Sequence, residues 1–172
     1  MKLSIRLTRQ LYQEVLADLR RPHLFAAERV GFLFGRLGNA DSDSPIILLT
    51  HYTPLADDRY IDDPTTGARI DSQAIRAAMQ DVLDHGEGAF HTHMHEWPGK
   101  PMFSWVDRDD LPRLIPSFQV VGPKAAHGLF LLSEDECISE VWLPGSKQAV
   151  EAHRVNIVGY PLHFTVGDVR DE

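Results

Sequence analysis

His91-Thr92-His93, followed after ten intervening residues by Ser104-Trp105-Val106-Asp107, restricts this chain more than any other feature of it. Side chains alternate along a strand, so two histidines one residue apart share a face if that segment is extended. Two imidazoles and one carboxylate make the three-ligand set of a catalytic zinc, which keeps a fourth position for water. Ser104 falls close enough to such a site to touch a substrate. The pattern predicts a metal-dependent hydrolase.

Composition narrows the partners. A chain of 172 residues that is 43% hydrophobic suits one globular domain, expected here over residues 1–172 with its core at about 3–165. A net charge of -8 argues against nucleic acid and anionic membrane, which both demand a basic face. The lone cysteine, Cys137, excludes an internal disulfide and a cysteine-based zinc cage, and fits a reducing cytoplasm. The opening Met-Lys-Leu-Ser-Ile-Arg is broken by charge before a signal-peptide core could develop. Aliphatic runs such as Ile46-Ile47-Leu48-Leu49 are too short to span a bilayer.

Periodicity then places the elements. Leu7, Leu11, Val15 and Leu19 predict an amphipathic helix from about Thr8 to Arg20, stopped by Pro22. Val30–Arg36 reads as a buried strand, Asn39–Pro45 as a turn and Ile46–Tyr52 as a second strand. The polar segment Thr53–Arg69 is long for a connection and is expected to form a functional flap. Asp71 reads as the N-cap of a helix with apolar residues at Ile75, Ala78, Met79, Val82 and Leu83, ended by Gly86. A strand over Glu87–His93 then delivers the histidines, and Met94–Phe103 is expected to be loop. Ser104 begins a helical turn, and strands are predicted near Gln119–Val121, Gly128–Leu132, Cys137–Leu143 and Val155–Val158, before an acidic tail from Gly167 that frays. The fold class is α/β, a mixed, curved sheet flanked by helices.

Chance and simpler explanations bear on the motif. Nine histidines make one accidental His-x-His unremarkable, so the weight rests on the joint pattern. Ser104-x-x-Asp107 is also a capping box, and that role is compatible with a metal ligand on the same helical turn. Upstream, Glu28-Arg-Val-Gly31-Phe-Leu33-Phe-Gly35 stands at the mouth of the first buried strand. Glu28, His-x-His, ten residues and Ser-x-x-Asp together resemble the signature of the JAMM (JAB/MPN-plus) metalloproteases, and the first two thirds of the chain resembles the small prokaryotic JAB-domain type. The sequence departs from many members at Met94, where they carry proline, and His95 follows it.

That resemblance implies a single MPN/JAB-type domain with one zinc per chain, bound by His91, His93, Asp107 and a water. It implies Glu28 as general base and Ser104 as donor to the oxyanion. It further implies cleavage after the C-terminal tail of ubiquitin or a ubiquitin-like modifier, with ubiquitin-activating-like and ubiquitin-conjugating-like enzymes encoded nearby. Trp105 is a candidate floor for the substrate groove, His95 a candidate substrate contact, and Asp57, Asp58, Asp62 and Asp63 candidate partners for arginine in a modifier tail. Trp97, Trp105 and Trp142 otherwise read as packing residues. Two alternatives stay open: a peptidase that trims a modifier or sulfur-carrier precursor, and a metal-free MPN scaffold that only binds partners. His51, His85, His127, His153 and His163 read as scattered core or surface histidines. The zincin and cytidine-deaminase patterns are excluded by Gly99 and by the missing cysteine pair.

Overall fold

The computed structural model describes residues 1–24 and 26–159, together with the backbone of 163–166. Gly167 and the tail after it, expected to fray, lie outside the described residues. Among the described residues, nine strands form one mixed, curled sheet: β1 (Ser4–Thr8), β2 (Val30–Gly38), β3 (Ile46–Pro54), β4 (Gly88–Met94), β5 (His127–Leu132), β6 (Cys137–Trp142), β7 (Val150–Glu151), β8 (Arg154–Val158) and β9 (His163–Val166). Their spatial order is β7-β6-β5-β4-β2-β3-β1-β8-β9. β4 pairs antiparallel with β2 and parallel with β5, so it lies inside the sheet, and every one of its residues is buried.

Helices cover both faces, as expected for this class. α1 (Arg9–Leu19) starts where Thr8 Oγ1 accepts the Leu11 N–H at 3.1 Å. It lays Leu11, Val15 and Leu19 into a core with Leu3, just before β1, Ile5 and Leu7 of β1, Ile47 and Leu49 of β3, and Phe90 and Met94 of β4. α2 (Ser72–His85) is capped by Asp71, whose Oδ1 accepts the Ala74 N–H at 2.8 Å, and it ends at Gly86 in the left-handed region, φ 66°. Ala78 and Val82 pack with Phe32, Phe34 and Phe118 against the opposite face of the sheet. α3 (Trp105–Asp110) and α4 (Ile115–Val121) complete that layer. Among the described residues, no helix is long and apolar enough to cross a membrane.

Several expectations are corrected. Gln119–Val121 is the end of α4, not a strand, because Ile115 and Phe118, one turn apart, are the buried pair while Val120 is 79% exposed. Pro116 sits in the first turn, where its missing N–H costs nothing, so it starts the helix instead of breaking it. Leu83, expected on the apolar face of α2, is exposed, and Ala74 takes its place. β1 is an element beyond those expected: Leu3, Ile5 and Leu7 alternate and are all buried, so Leu7 belongs to this strand and not to the helical face that follows. Of the three tryptophans, Trp142 is buried, Trp97 is half exposed with its ring 4.5 Å from that of His95, and Trp105, expected as a packing residue, is exposed.

The Thr53–Arg69 segment is partly strand, since β3 runs on to Pro54, and partly a pinned excursion. A 3-10 turn at Asp57–Arg59 leads to a bridge between Tyr60 and Ile70. The Tyr60 hydroxyl accepts the Val30 N–H at 2.8 Å, and the Gly67 carbonyl accepts the N–H groups of Ala27 and Glu28 at 2.8 and 3.0 Å. Buried Arg29 ties the same corner together by donating to Asp57 Oδ1, Arg21 O and Pro22 O, each at 2.8 Å. The entry to β2, and with it Glu28, is therefore fixed from several sides.

Where β4 begins, Gly88 lies so close to the neighbouring chain that an added Cβ would fall onto the Ala126 carbonyl. Backbone cannot swing aside as a side chain can. Gly88→Ala is therefore expected to destabilise the fold by about 3 kcal/mol or more. Gly38→Ala, whose Cβ would meet nothing nearer than 3.8 Å, should change it little. Denaturant unfolding of the two variants checks the contrast.

Candidate metal centre

The antiparallel register of β2 and β4 sets Val30 opposite His93 and Phe32 opposite His91. Continued by two residues, the same register sets Glu28 opposite His95. Alternation then places Glu28, His91, His93 and His95 on one face. The His95 N–H still bonds to the Leu132 carbonyl at 2.9 Å, so the ladder with β5 outlasts the assigned strand. The expectation of loop from Met94 onward hid this, and the continued alternation 91, 93, 95 was the signal available for His95.

Asp107 arrives from the helical layer. Both halves of the capping box are formed: Ser104 Oγ accepts the Asp107 N–H at 3.1 Å, and Asp107 Oδ2 accepts the Ser104 N–H at 2.7 Å. This leaves Asp107 Oδ1 at 3.3 Å from His93 Nε2, an ion-pair distance without hydrogen-bond alignment. His95 Nε2 stands 3.7 Å from both Asp107 Oδ2 and Glu28 Oε1. The ring of His91 lies 5.6 Å from that of His93, edge-on to Phe32.

A cleft of about 600 Å³ opens over these groups, with Glu28, His91, His93, Ser104 and Asp107 in its wall. Of the expected substrate contacts, Asp63 also lines it. Asp57, Asp58, Asp62, His95 and Trp105 do not. Asp57 is committed to Arg29, and Asp63 accepts from Arg69 at 2.9 Å and from the Thr65 hydroxyl at 2.6 Å. His95 is buried behind the cleft and Trp105 is exposed beside it.

The three-donor set that converges here differs from the expected one. Ligand atoms of Glu28, His93 and His95 all lie within 4.8 Å of one another, an arrangement that can hold a metal. His91 and Asp107, expected as ligands, flank it. Glu28, expected as an unligated base, is inside it.

Electrostatics follow from burial. Full burial pushes His91 down to about 3, and burial also lowers His95, with His93 adding repulsion. Burial raises the Glu28 carboxyl, opposed by His93 and reinforced by Asp107 and Glu96. At Asp107 burial acts upward too, but His93 and the bonds from Ser104 outweigh it and hold the carboxyl far below the usual range. His91 Nδ1, both ring nitrogens of His93 and His95 Nδ1 are buried with no hydrogen-bond partner among the described residues. An unsatisfied buried polar atom costs about 1–3 kcal/mol, and a bound cation is a direct way to recover it for imidazole lone pairs.

Comparison with known proteins adds little. No family model matches the chain, and no curated protein matches it. Among solved structures it is similar to the STIL N-terminal domain of Trichoplax adhaerens, at 15% identity and a TM-score of 0.35. That match covers 81% of this chain and 41% of the other, so the chain spans less than half of that protein's length.

His93 belongs to both the expected and the observed donor sets. His93→Ala is expected to weaken zinc binding by more than the roughly 10–100-fold typical of losing a supporting residue. Competition against a chromophoric chelator, run alongside His91→Ala and His95→Ala, will rank the three imidazoles.

Proposed function

We propose that this chain is a zinc-dependent hydrolase of the JAMM type, built on an MPN/JAB-type domain. In this reading it cuts the isopeptide or peptide bond after the C-terminal tail of a ubiquitin-like modifier. One observation carries the reading: buried imidazoles with unpaired nitrogens share a face and a cleft with two carboxylates, at the spacing of the JAMM signature. A mixed set of imidazole nitrogens and carboxylate oxygens suits zinc better than calcium or magnesium, which take oxygen.

His91, His93 and Asp107 are the residues that the resemblance assigns to the ion, one per chain, and His95 is the donor that the geometry adds. Bound zinc lowers the pKa of its water from about 15.7 to about 7 and polarises a carbonyl. The remaining work falls to the chain. Glu28 reaches the cleft with a carboxyl raised by burial, which makes it the stronger proton acceptor; it takes the proton of the attacking water and passes it to the departing amine. Ser104 Oγ is already accepting the Asp107 N–H, so its own O–H is free to donate to the scissile carbonyl oxygen as charge builds there.

The cleft suits an extended polypeptide. Met102 and Trp105, on either side of Ser104, are 72% and 79% exposed and offer apolar surface at its border. Of the Asp57–Asp63 run only Asp63 lines the wall, and it is paired with Arg69 as Asp110 is with Arg113, so a basic residue in the incoming tail would have to compete with those arginines. The cytoplasmic location rests on the lone cysteine, and the ubiquitin-activating-like partners on the motif's resemblance.

Two substitutions at the base test the reading on a linear modifier fusion and on a lysine-linked conjugate. Glu28→Gln should keep zinc and lose turnover by about 10²–10⁴-fold. Gly67→Ala should act in the same direction without touching a charged group, because its Cβ would stand 2.5 Å from Glu28 Oε2 and push the carboxylate aside. Loss of zinc from Glu28→Gln would make Glu28 a ligand, and wild-type protein that is loaded with zinc yet cleaves neither substrate would overturn the function.

A further inference from the structure

A second convergence of metal-binding side chains lies on the same face of the sheet, towards the far end of β2. His51 of β3 stacks flat on Phe34, with ring centroids 4.7 Å apart and planes within 8°. Its Nε2 faces Asp81 Oδ1 at 3.3 Å. One helical turn further along α2, His85 Nδ1 meets the same oxygen at 2.7 Å and donates to the Asp81 backbone carbonyl at 3.1 Å, so a metal takes this imidazole by displacing that proton or through Nε2. Ligand atoms from all three side chains lie within 4.8 Å of one another. The expectation that His51 and His85 are scattered without ligand spacing is corrected: Asp81 and His85 are four apart on one helix face, and the strand brings His51 to them.

What lies behind His51 distinguishes this group from an ordinary surface ion-pair network. Its other nitrogen, Nδ1, is 3.4 Å from Glu87 Oε2 and 3.2 Å from Thr50 Oγ1. Glu87 is a buried carboxylate held by Thr50 Oγ1 at 2.5 Å and Arg36 Nε at 2.6 Å, so it cannot swing away. A carboxylate behind Nδ1 can hold the ring proton there when a metal takes Nε2. This is the carboxylate–histidine arrangement that orients imidazoles on metals. Nε2 and Asp81 Oδ1 lie within hydrogen-bond distance at 3.3 Å, so the imidazole proton joins them where no metal does. The C-terminal end of α2 adds its negative partial charge at the same place.

We propose that His51, Asp81 and His85 form a second divalent-metal site, separate from the Glu28–His93–His95 centre, that takes a first-row transition dication such as zinc and ties the last turn of α2 to β3. Two imidazoles and one carboxylate select that class over calcium and magnesium. At relative exposures of 36%, 21% and 56% the three side chains are open to metal from solvent. The site rests on none of the groups assigned to hydrolysis.

Protein stripped with a chelator and titrated with Co²⁺ tests this, with bound metal counted by elemental analysis and the imidazole ligands followed by the visible d–d bands. His85 is exposed, so His85→Ala should fold, and it is expected to bind one equivalent less than wild type. His93→Ala, which disables the other centre, should retain that equivalent, and His93→Ala/His85→Ala should lose it. Co²⁺ should also raise the melting temperature of His93→Ala but not that of the double variant. His153→Ala, a histidine outside the cluster, should bind as wild type does. Equal metal content in wild type and His85→Ala would overturn the proposal and leave a proton as the cation on His51. An equal loss from His153→Ala would overturn it as well, by showing adventitious binding at surface histidines.

Discussion

The antiparallel pairing of β2 with β4 is the constraint on which the candidate centre depends. Val30 opposite His93 fixes the pairing, and a slip of one residue would turn Glu28 to the other face, into the core beneath α1. Neighbouring features hold the pairing in place. Tyr60 and Gly67 bond the backbone at the entry to β2, and Arg29 locks the preceding loop to the turn at Asp57. The excursion between β3 and α2 thus acts as a brace for one carboxylate. Gly67 leaves room there for the Glu28 carboxylate, which a Cβ at that position would displace.

Burial of the histidines is a cost that the rest of the fold does not offset. Every residue of β4 is buried, yet the imidazoles alternate with Phe90 and Met94, which serve the apolar core on the other face, and with Thr92 between these two. Replacing His91 and His93 by aliphatic residues would suit an interior strand better. Their unpaired nitrogens therefore point to a ligand as the reason for their presence, more directly than the ion pair with Asp107 does. His127, by contrast, is as deeply buried but has partners for both nitrogens, Ala89 N–H and Gly122 O, at 3.2 and 3.0 Å. It reads as a structural histidine, as its sequence context suggested.

Local signals were legible in the sequence, and long-range ones were not. Asp71, Gly86 and the Ser104–Asp107 box lie where their own chemistry dictates, because caps act within four residues. The two-residue alternation of His91 and His93 likewise needs only a strand. The first strand failed because Leu7 satisfies both a strand and the helix after it, and only packing against β3 and β8 decides between them. Val120-Val121 favours a strand by propensity, but burial of Ile115 and Phe118 at helical spacing overrides it. His95 was hidden by an assumed strand end, and the meeting of His51 with Asp81 and His85 required a contact between β3 and α2 that no local pattern encodes.

Asp107 shows how a short helix can carry a site. A six-residue helix has little stability of its own, so its position relies on its cap. The cap spends one carboxylate oxygen, Oδ2, on the Ser104 N–H, and this fixes the side-chain torsion that leaves Oδ1 facing His93. Helix start and orientation of the acid are thus one interaction. Leu111, one turn further on, packs with Phe103 and Ile115 against β5, so the helix is anchored at its far end by apolar contact. Between a polar cap and an apolar anchor, the carboxylate is held with few free torsions, which is the preorganisation that a metal ligand or its orienting partner requires.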